Sequence, residues 1–259
     1  MLSLETIATR AAPVRYIHGG EGKPLVYLHG ANGVTTDDPF LNALAGHFEI
    51  YAPLLPGYGD SEEAPELRDM LDVTLHTWDV VGALKLKKPI LVGHSMGGMI
   101  AAEMAAIAPN DVAKLGLIAP AGLWDDDHPI ADLFALLPYQ LPGILFHDAE
   151  AGAKLLTANR RVDDPNFLQN FLVQNARQLG MAGRLLFPIP DRGLSQRLYR
   201  IKAKTILVWG DSDRLIPPFY AQKFKAAIKG AKLVSIPEAG HMVILEQTDR
   251  VVGALQALA

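Results

Sequence analysis

The chain of 259 residues contains no cysteine. Disulfides, thiolate metal sites and cysteine nucleophiles are therefore excluded, and nothing marks an oxidising compartment. A basic excess is also missing. Lys and Arg number 24 against 28 Asp and Glu, a formal net charge of −4, which argues against nucleic-acid or anionic-membrane partners because both leave a basic footprint. The start does not read as a secretory signal, since Glu5, Thr6 and Arg10 interrupt any apolar stretch. The most apolar window, residues 90–108, carries His94, Ser95 and Glu103, so it reads as a strand and helix rather than a membrane span. No period of about 20–50 residues repeats. These absences set the expectation of a cytoplasmic monomer or homodimer. What is present is ordinary for a globular protein, with 49% hydrophobic and 20% charged residues.

The first segment alternates apolar and polar residues. Leu4–Arg10 and Val14–His18 are expected as antiparallel edge strands joined near Pro13, followed by a turn through the glycines of 19–24. Short, fully apolar strands of the buried parallel kind follow: Leu25–Leu28, Glu49–Ala52, Ile90–Val92, Leu115–Ala119, Thr205–Trp209 and Leu233–Ile236. Helix-length stretches separate the early ones, at Asp38–Phe48, at Glu66–Leu86 with Leu71, Leu75, Trp78, Val81 and Leu84 near helical spacing, and at Ser95–Ala108. The alternation implies an open α/β sheet with helices on both faces.

That rhythm stops near Trp124 and resumes near Lys204. Residues 124–200 look helical, are rich in Leu and Phe, and are expected to be broken into short pieces by Pro129, Pro138, Pro142, Pro165, Pro188 and Pro190. An insert at the carboxyl end of a parallel sheet sits above the place where such sheets bind ligands. Hence the expected division: a core of residues 1–123 and 201–259, and a helical lid of residues 124–200.

The sharpest chemical signal is Gly93-His94-Ser95-Met96-Gly97-Gly98, directly after one apolar strand and before an Ala-rich helix. A strand that turns abruptly into a helix strains its central residue and needs small neighbours, and it presents the serine hydroxyl beside a helix N-terminus. Serine needs a base, and the base an orienting acid. The loops after two late strands offer both, in Gly210-Asp211-Ser212-Asp213 and Pro237-Glu238-Ala239-Gly240-His241. Ser95, His241 and Asp213 are the expected triad. Asp211 is the less favoured acid because it lies nearer its strand.

The other seven histidines have duller readings. His18 and His47 are surface or packing residues, His76 is solvated on its helix, His94 points away from the nucleophile and His29 braces its loop. His128 and His147 belong to the lid and could touch substrate. The Asp125-Asp126-Asp127 run reads as a solvated linker. Oxyanion donors are expected at Met96 N–H and Ala31 N–H, with Asn32 as the alternative register. Asn32, Trp124, Leu137 and Met242 are expected to line the substrate pocket. Arg160 and Arg161 either bind a substrate carboxylate or stand on an exposed helix face.

These segments resemble the α/β-hydrolase superfamily over nearly the whole chain. The matches are the His29-Gly30 loop, Leu55-Pro56-Gly57-Tyr58-Gly59-Asp60-Ser61, the Ser95 turn, Gly210 through Pro217, and Gly240-His241 with Glu246. The resemblance implies an eight-stranded, mostly parallel sheet with a lid after strand 6. It is closest to the capped, cofactor-free branch of carboxylesterases, carbon–carbon bond hydrolases and proline-iminopeptidase-like enzymes. Ser95 departs from the Asp nucleophile of dehalogenases and epoxide hydrolases. His94 and Met242 depart from the Asn and Trp typical of carbon–carbon hydrolases. The expected activity is therefore hydrolysis of a small ester-like substrate, without metal or cofactor. Dienoate cleavage and a ligand-binding receptor of the same fold are the alternatives.

Overall fold

The computed structural model describes residues 1–157, 164–187 and 189–259. In chain order the strands are β1 (Ser3–Ile7), β2 (Val14–Gly19), β3 (Pro24–Leu28), β4 (Glu49–Pro53), β5 (Ile90–His94), β6 (Lys114–Ile118), β7 (Lys204–Gly210) and β8 (Lys232–Ile236). The helices are α1 (Pro39–Leu44), α2 (Met70–Ala83), α3 (Met96–Ile107), α4 (Leu141–Leu145), α5 (Ala149–Leu156), α6 (Pro165–Leu186), α7 (Phe219–Ala227), α8 (Val243–Glu246) and α9 (Thr248–Leu255).

The strands form one sheet in the order β1-β2-β4-β3-β5-β6-β7-β8. β1 and β2 pair antiparallel, as does β2 with β4, and every other neighbouring pair is parallel. β5 is buried along its whole length and carries α3 directly behind it. α3 is also buried on nearly all sides, from Met96 to Ala106, which its run of Gly and Ala permits by letting helix and sheet approach closely. All five strands from β3 and β4 through β7 end on the same edge as β8, so their following loops converge there.

Several boundaries differ from expectation for local reasons. β1 ends at Ile7 rather than Arg10, because the Thr9 hydroxyl donates to Ala12 O at 2.6 Å and closes the turn. α2 begins at Met70 rather than Glu66, where Asp69 caps it by accepting from Asp72 N–H at 2.9 Å. Its buried face is also rotated. Leu71 and Leu75 are exposed, and Val73, Thr74, His76, Thr77, Val80 and Val81 point inward. Thr74 and Thr77 can go inside because their hydroxyls bond to the carbonyls of Met70 and Val73 four residues back, at 2.6 and 2.7 Å. His76 is therefore buried, not solvated, and neither ring nitrogen has a hydrogen-bond partner among the described residues. Burial lowers its pKa.

Between β6 and β7 the described residues hold short helical turns, α4, α5 and the 22-residue α6. Pro165 starts α6 at its first position instead of breaking it, with Asp164 as the cap. Pro188, Arg160 and Arg161 lie outside the described residues. The segment is tied to the sheet domain at named points. Met242 N–H donates to Leu145 O at 2.9 Å, and Arg214 donates to the carbonyls of Gly143 and Phe146 at 2.9 and 3.1 Å. Arg197 makes a bidentate pair with the buried carboxylate of Glu103 on α3, at 2.9 and 2.6 Å. Asp125 is not a free linker charge either, because Lys223 and His128 both bond to it and hold its carboxyl well below the usual range. Among the described residues no helix is long and apolar enough to cross a membrane.

Candidate active site

Ser95 occupies the step from β5 to α3 with φ 53° and ψ −116°, a left-handed backbone that a residue with a side chain adopts only under constraint. The constraint is visible. Ser95 N–H donates to Ile118 O at 2.9 Å, and Ser95 O accepts from Met99 and Ala121 N–H at 3.0 and 3.1 Å. The flanking glycines make the turn possible. A Cβ at Gly97 would lie 2.0 Å from Leu28 O, and one at Gly93 would lie 2.2 Å from Gly97 O.

His241 follows β8 on the same sheet edge. Its Nε2 is 2.9 Å from Ser95 Oγ and its Nδ1 is 2.9 Å from Asp213 Oδ2. The other carboxylate oxygen of Asp213 accepts from Leu215 and Ile216 N–H at 3.0 and 2.8 Å, which fixes the plane of the carboxylate. Serine, histidine and aspartate are 8%, 2% and 4% exposed, so the line is buried along its length. Asp211 is turned elsewhere, accepting from Ser212 Oγ and Glu238 N–H at 3.1 Å each.

Two further histidines support this line. His94 lines the same cavity as Ser95, and its Nε2 donates to His241 O at 2.9 Å. Burial, followed by the neighbouring His241, pushes its pKa down to about 3, which matches an Nε2–H neutral ring. His29 accepts from Leu55 N–H through Nε2 at 3.1 Å, and its Nδ1 donates to Gly30 O at 2.7 Å. Burial lowers its pKa to about 4. It thus braces the loop that carries Ala31. Neither Ala31 nor Met96 N–H is spent on a turn, loop or cap hydrogen bond among the described residues. Glu246 contributes a link that its motif position alone did not explain. Its Oε2 accepts from Gly240 N–H and its Oε1 from His147 N–H, both at 2.7 Å, joining the His241 loop to the β6–β7 insertion.

Ser95 stands where two cavities meet. The larger, about 200 Å³, extends past His241, Met242 and Asn32 to Tyr27 and Asp38. The smaller, about 50 Å³, is lined mainly by Met99, Ile130, Phe134, Leu185 and Ile216, with Arg192 at its edge. Leu133 and Leu215 border both.

Of the expected pocket residues, Asn32 and Met242 line the larger cavity and touch, with Nδ2 3.8 Å from Sδ. Trp124 lines neither cavity, and its indole N–H is engaged by Asp126 at 2.8 Å. Leu137 also lines neither and is 52% exposed, because the turn that follows it directs the side chain outward. His128 stacks on Phe219 and pairs with Asp125, and His147 bonds to Ser212 Oγ at 2.8 Å, so neither faces Ser95. Tyr27 and Asp38 went unnoticed in the sequence, where they read as a strand residue and a helix start. Among the described residues no group of three or more His, Asp or Glu side chains could hold a metal ion.

The model of the alpha/beta hydrolase family matches residues 25–254. The dihydrolipoyllysine-residue acetyltransferase component of the acetoin cleaving system of Pseudomonas putida is 33% identical over 90% of this chain, which spans 62% of that protein's length. The 2-hydroxy-6-oxo-6-phenylhexa-2,4-dienoate hydrolase of Comamonas testosteroni is 27% identical over 91% of this chain and 87% of its own. Among solved structures, a bacterial membrane phospholipase A superposes with a TM-score of 0.78 at 23% identity, covering 99% of this chain and 85% of that one, a likeness of fold.

Proposed function

The chain belongs to the alpha/beta hydrolase family, and from that premise we propose that it is a serine hydrolase cleaving carboxylic esters. The observation that carries this reading is the unbroken Ser95–His241–Asp213 line, with 2.9 Å at each step, opening on a cavity. His241 takes the Ser95 proton as Oγ bonds to the ester carbonyl carbon. The Ala31 and Met96 amides hold the resulting oxyanion, each such donor being worth about 2.7–4 kcal/mol. The C–O bond to the alcohol then breaks, and the alcohol leaves with the proton from His241. Water, deprotonated by the same imidazole, adds to the acyl carbon; the bond to Ser95 Oγ then breaks, the imidazole returns the proton to Oγ, and the acid leaves. Asp213 holds the imidazole tautomer and stabilises its charged form. Residues 124–200 act as a lid over the core of 1–123 and 201–259, supplying the apolar walls of a site for a small-molecule substrate.

The test is hydrolysis of nitrophenyl esters from acetate to decanoate. Turnover that peaks at one chain length and is lost in Ser95→Ala supports the proposal. No ester turnover in folded protein contradicts it.

A second reading, hydrolysis of a carbon–carbon bond, is favoured by the Comamonas testosteroni relative, a dienoate hydrolase similar over 91% of this chain. Decay of a coloured dienoate, at a rate exceeding that on every ester, would establish it instead.

A further inference from the structure

The larger cavity at Ser95 has a charged wall that ester cleavage does not use. Asp38 lines it, and among the described residues no acidic or basic side chain besides His94 and His241 does. Asp38 is half-buried. Its Oδ1 caps α1 by accepting from Leu41 N–H at 2.9 Å, and among the described residues the carboxylate has no cationic partner. Burial raises its pKa, opposed only by the Leu41 and Phe40 amides. The amides at the start of α1 offset part of that charge, but no full cation does.

Tyr27, on β3, lines the same cavity and lies within the electrostatic reach of Asp38. It is 2% exposed, with its ring edge-on to Phe40 at 5.6 Å between centroids. Its hydroxyl has no hydrogen-bond partner among the described residues. Burial and the nearby carboxylate push its pKa well up, so the group stays a neutral hydroxyl. A hydroxyl open to the cavity and a carboxylate without a cation, on the same wall, suit something that donates protons and carries positive charge.

We propose that the Tyr27–Asp38 wall binds a protonated primary amine of the substrate, the ammonium donating to the Asp38 carboxylate and to the Tyr27 oxygen. This rests on the ester-hydrolase reading and names its substrate class: esters with an amino group on the limb that fills the larger cavity. An ammonium has three donors and a charge to offer, a hydroxyl has one donor, and a carboxylate is repelled.

The test measures binding to the full chain by calorimetry, using straight-chain alkylammonium, alkanol and alkanoate of four to eight carbons as probes. The expected result is that one alkylammonium binds at least tenfold tighter than the alkanol of the same length, with the alkanoate weakest. Asp38→Asn keeps the helix cap and removes the charge, and it should bring the ammonium-to-alkanol ratio to within about twofold of one. Tyr27→Phe removes only the hydroxyl and should reduce the same ratio severalfold. An alkanol that binds as well as the ammonium, or a preference that survives both substitutions, overturns the proposal. Nitrophenyl acetate turnover is measured on the same samples. Turnover without ammonium preference sinks this inference alone, whereas ammonium preference without turnover sinks the ester reading and leaves the amine site standing.

Discussion

The imidazole of His94 donates to the main-chain carbonyl of His241 at 2.9 Å, so the residue beside Ser95 fixes the backbone of His241. The two residues lie 147 positions apart, and their rings sit 5.1 Å centroid to centroid. His94 thus ties the Ser95 turn to the His241 loop across β5, β6, β7 and β8.

Removing that tie should misplace the base more than it weakens substrate binding. His94→Ala leaves a buried carbonyl without a donor, a cost of about 1–3 kcal/mol. We expect kcat to fall about tenfold or more with KM little changed, and His94→Gln, which restores an N–H donor, to recover part of the loss. Steady-state kinetics on a nitrophenyl ester would read both, and an unchanged kcat in His94→Ala would refute the positioning role.

Two glycine-to-alanine changes should diverge in sign. At Gly97 the new methyl meets Leu28 O at 2.0 Å, backbone against backbone, whereas at Gly253 in α9 nothing lies within 4 Å. Gly97→Ala should destabilise the fold by about 3 kcal/mol or more. Gly253→Ala should stabilise it by about 0.5–1 kcal/mol through helix propensity. Urea midpoints of the two variants check the contrast.

Stability should fall in mild acid. His29 and His94 have folded-state pKa values of about 4 and about 3, both depressed by burial. The unfolded chain binds those protons near pH 6.5. Their neutral burial therefore contributes fully above pH 6.5, and the contribution is lost as pH falls toward the folded values. By pH 5 each histidine should have cost about 2 kcal/mol relative to pH 7.5. Denaturant unfolding at the two pH values measures this, and a flat or rising stability toward pH 5 would contradict it.

The meeting of Ser95, His241 and Asp213 was legible in the sequence because each residue sits in a local signal. Ser95 lies in a glycine-flanked strand-to-helix turn, and Asp213 and His241 lie in loops that follow apolar strands. The mixed sheet followed from the same runs, but the order in which its strands lie did not. What escaped reading depends on packing between distant segments. Leu71 and Leu75 carry a helical spacing, yet α2 buries His76 and two self-satisfied threonines in their place. Trp124 and Leu137 are apolar residues of the expected lid, but an aspartate captures the indole and the turn after Leu137 turns that side chain outward. Asp38 looks like an ordinary helix cap. Only the cavity, assembled from β3, the Ala31 loop, the His241 loop and the insertion, shows what else it faces.

We propose that Ser95 is a nucleophile made reactive by His241 and Asp213. The most direct test is labelling with a fluorophosphonate, with the adduct located by peptide mass spectrometry. A single adduct is expected on Ser95, absent in Ser95→Ala, and slowed by about a thousandfold or more in His241→Ala and Asp213→Asn. An adduct elsewhere, or none on folded wild-type protein, would contradict it.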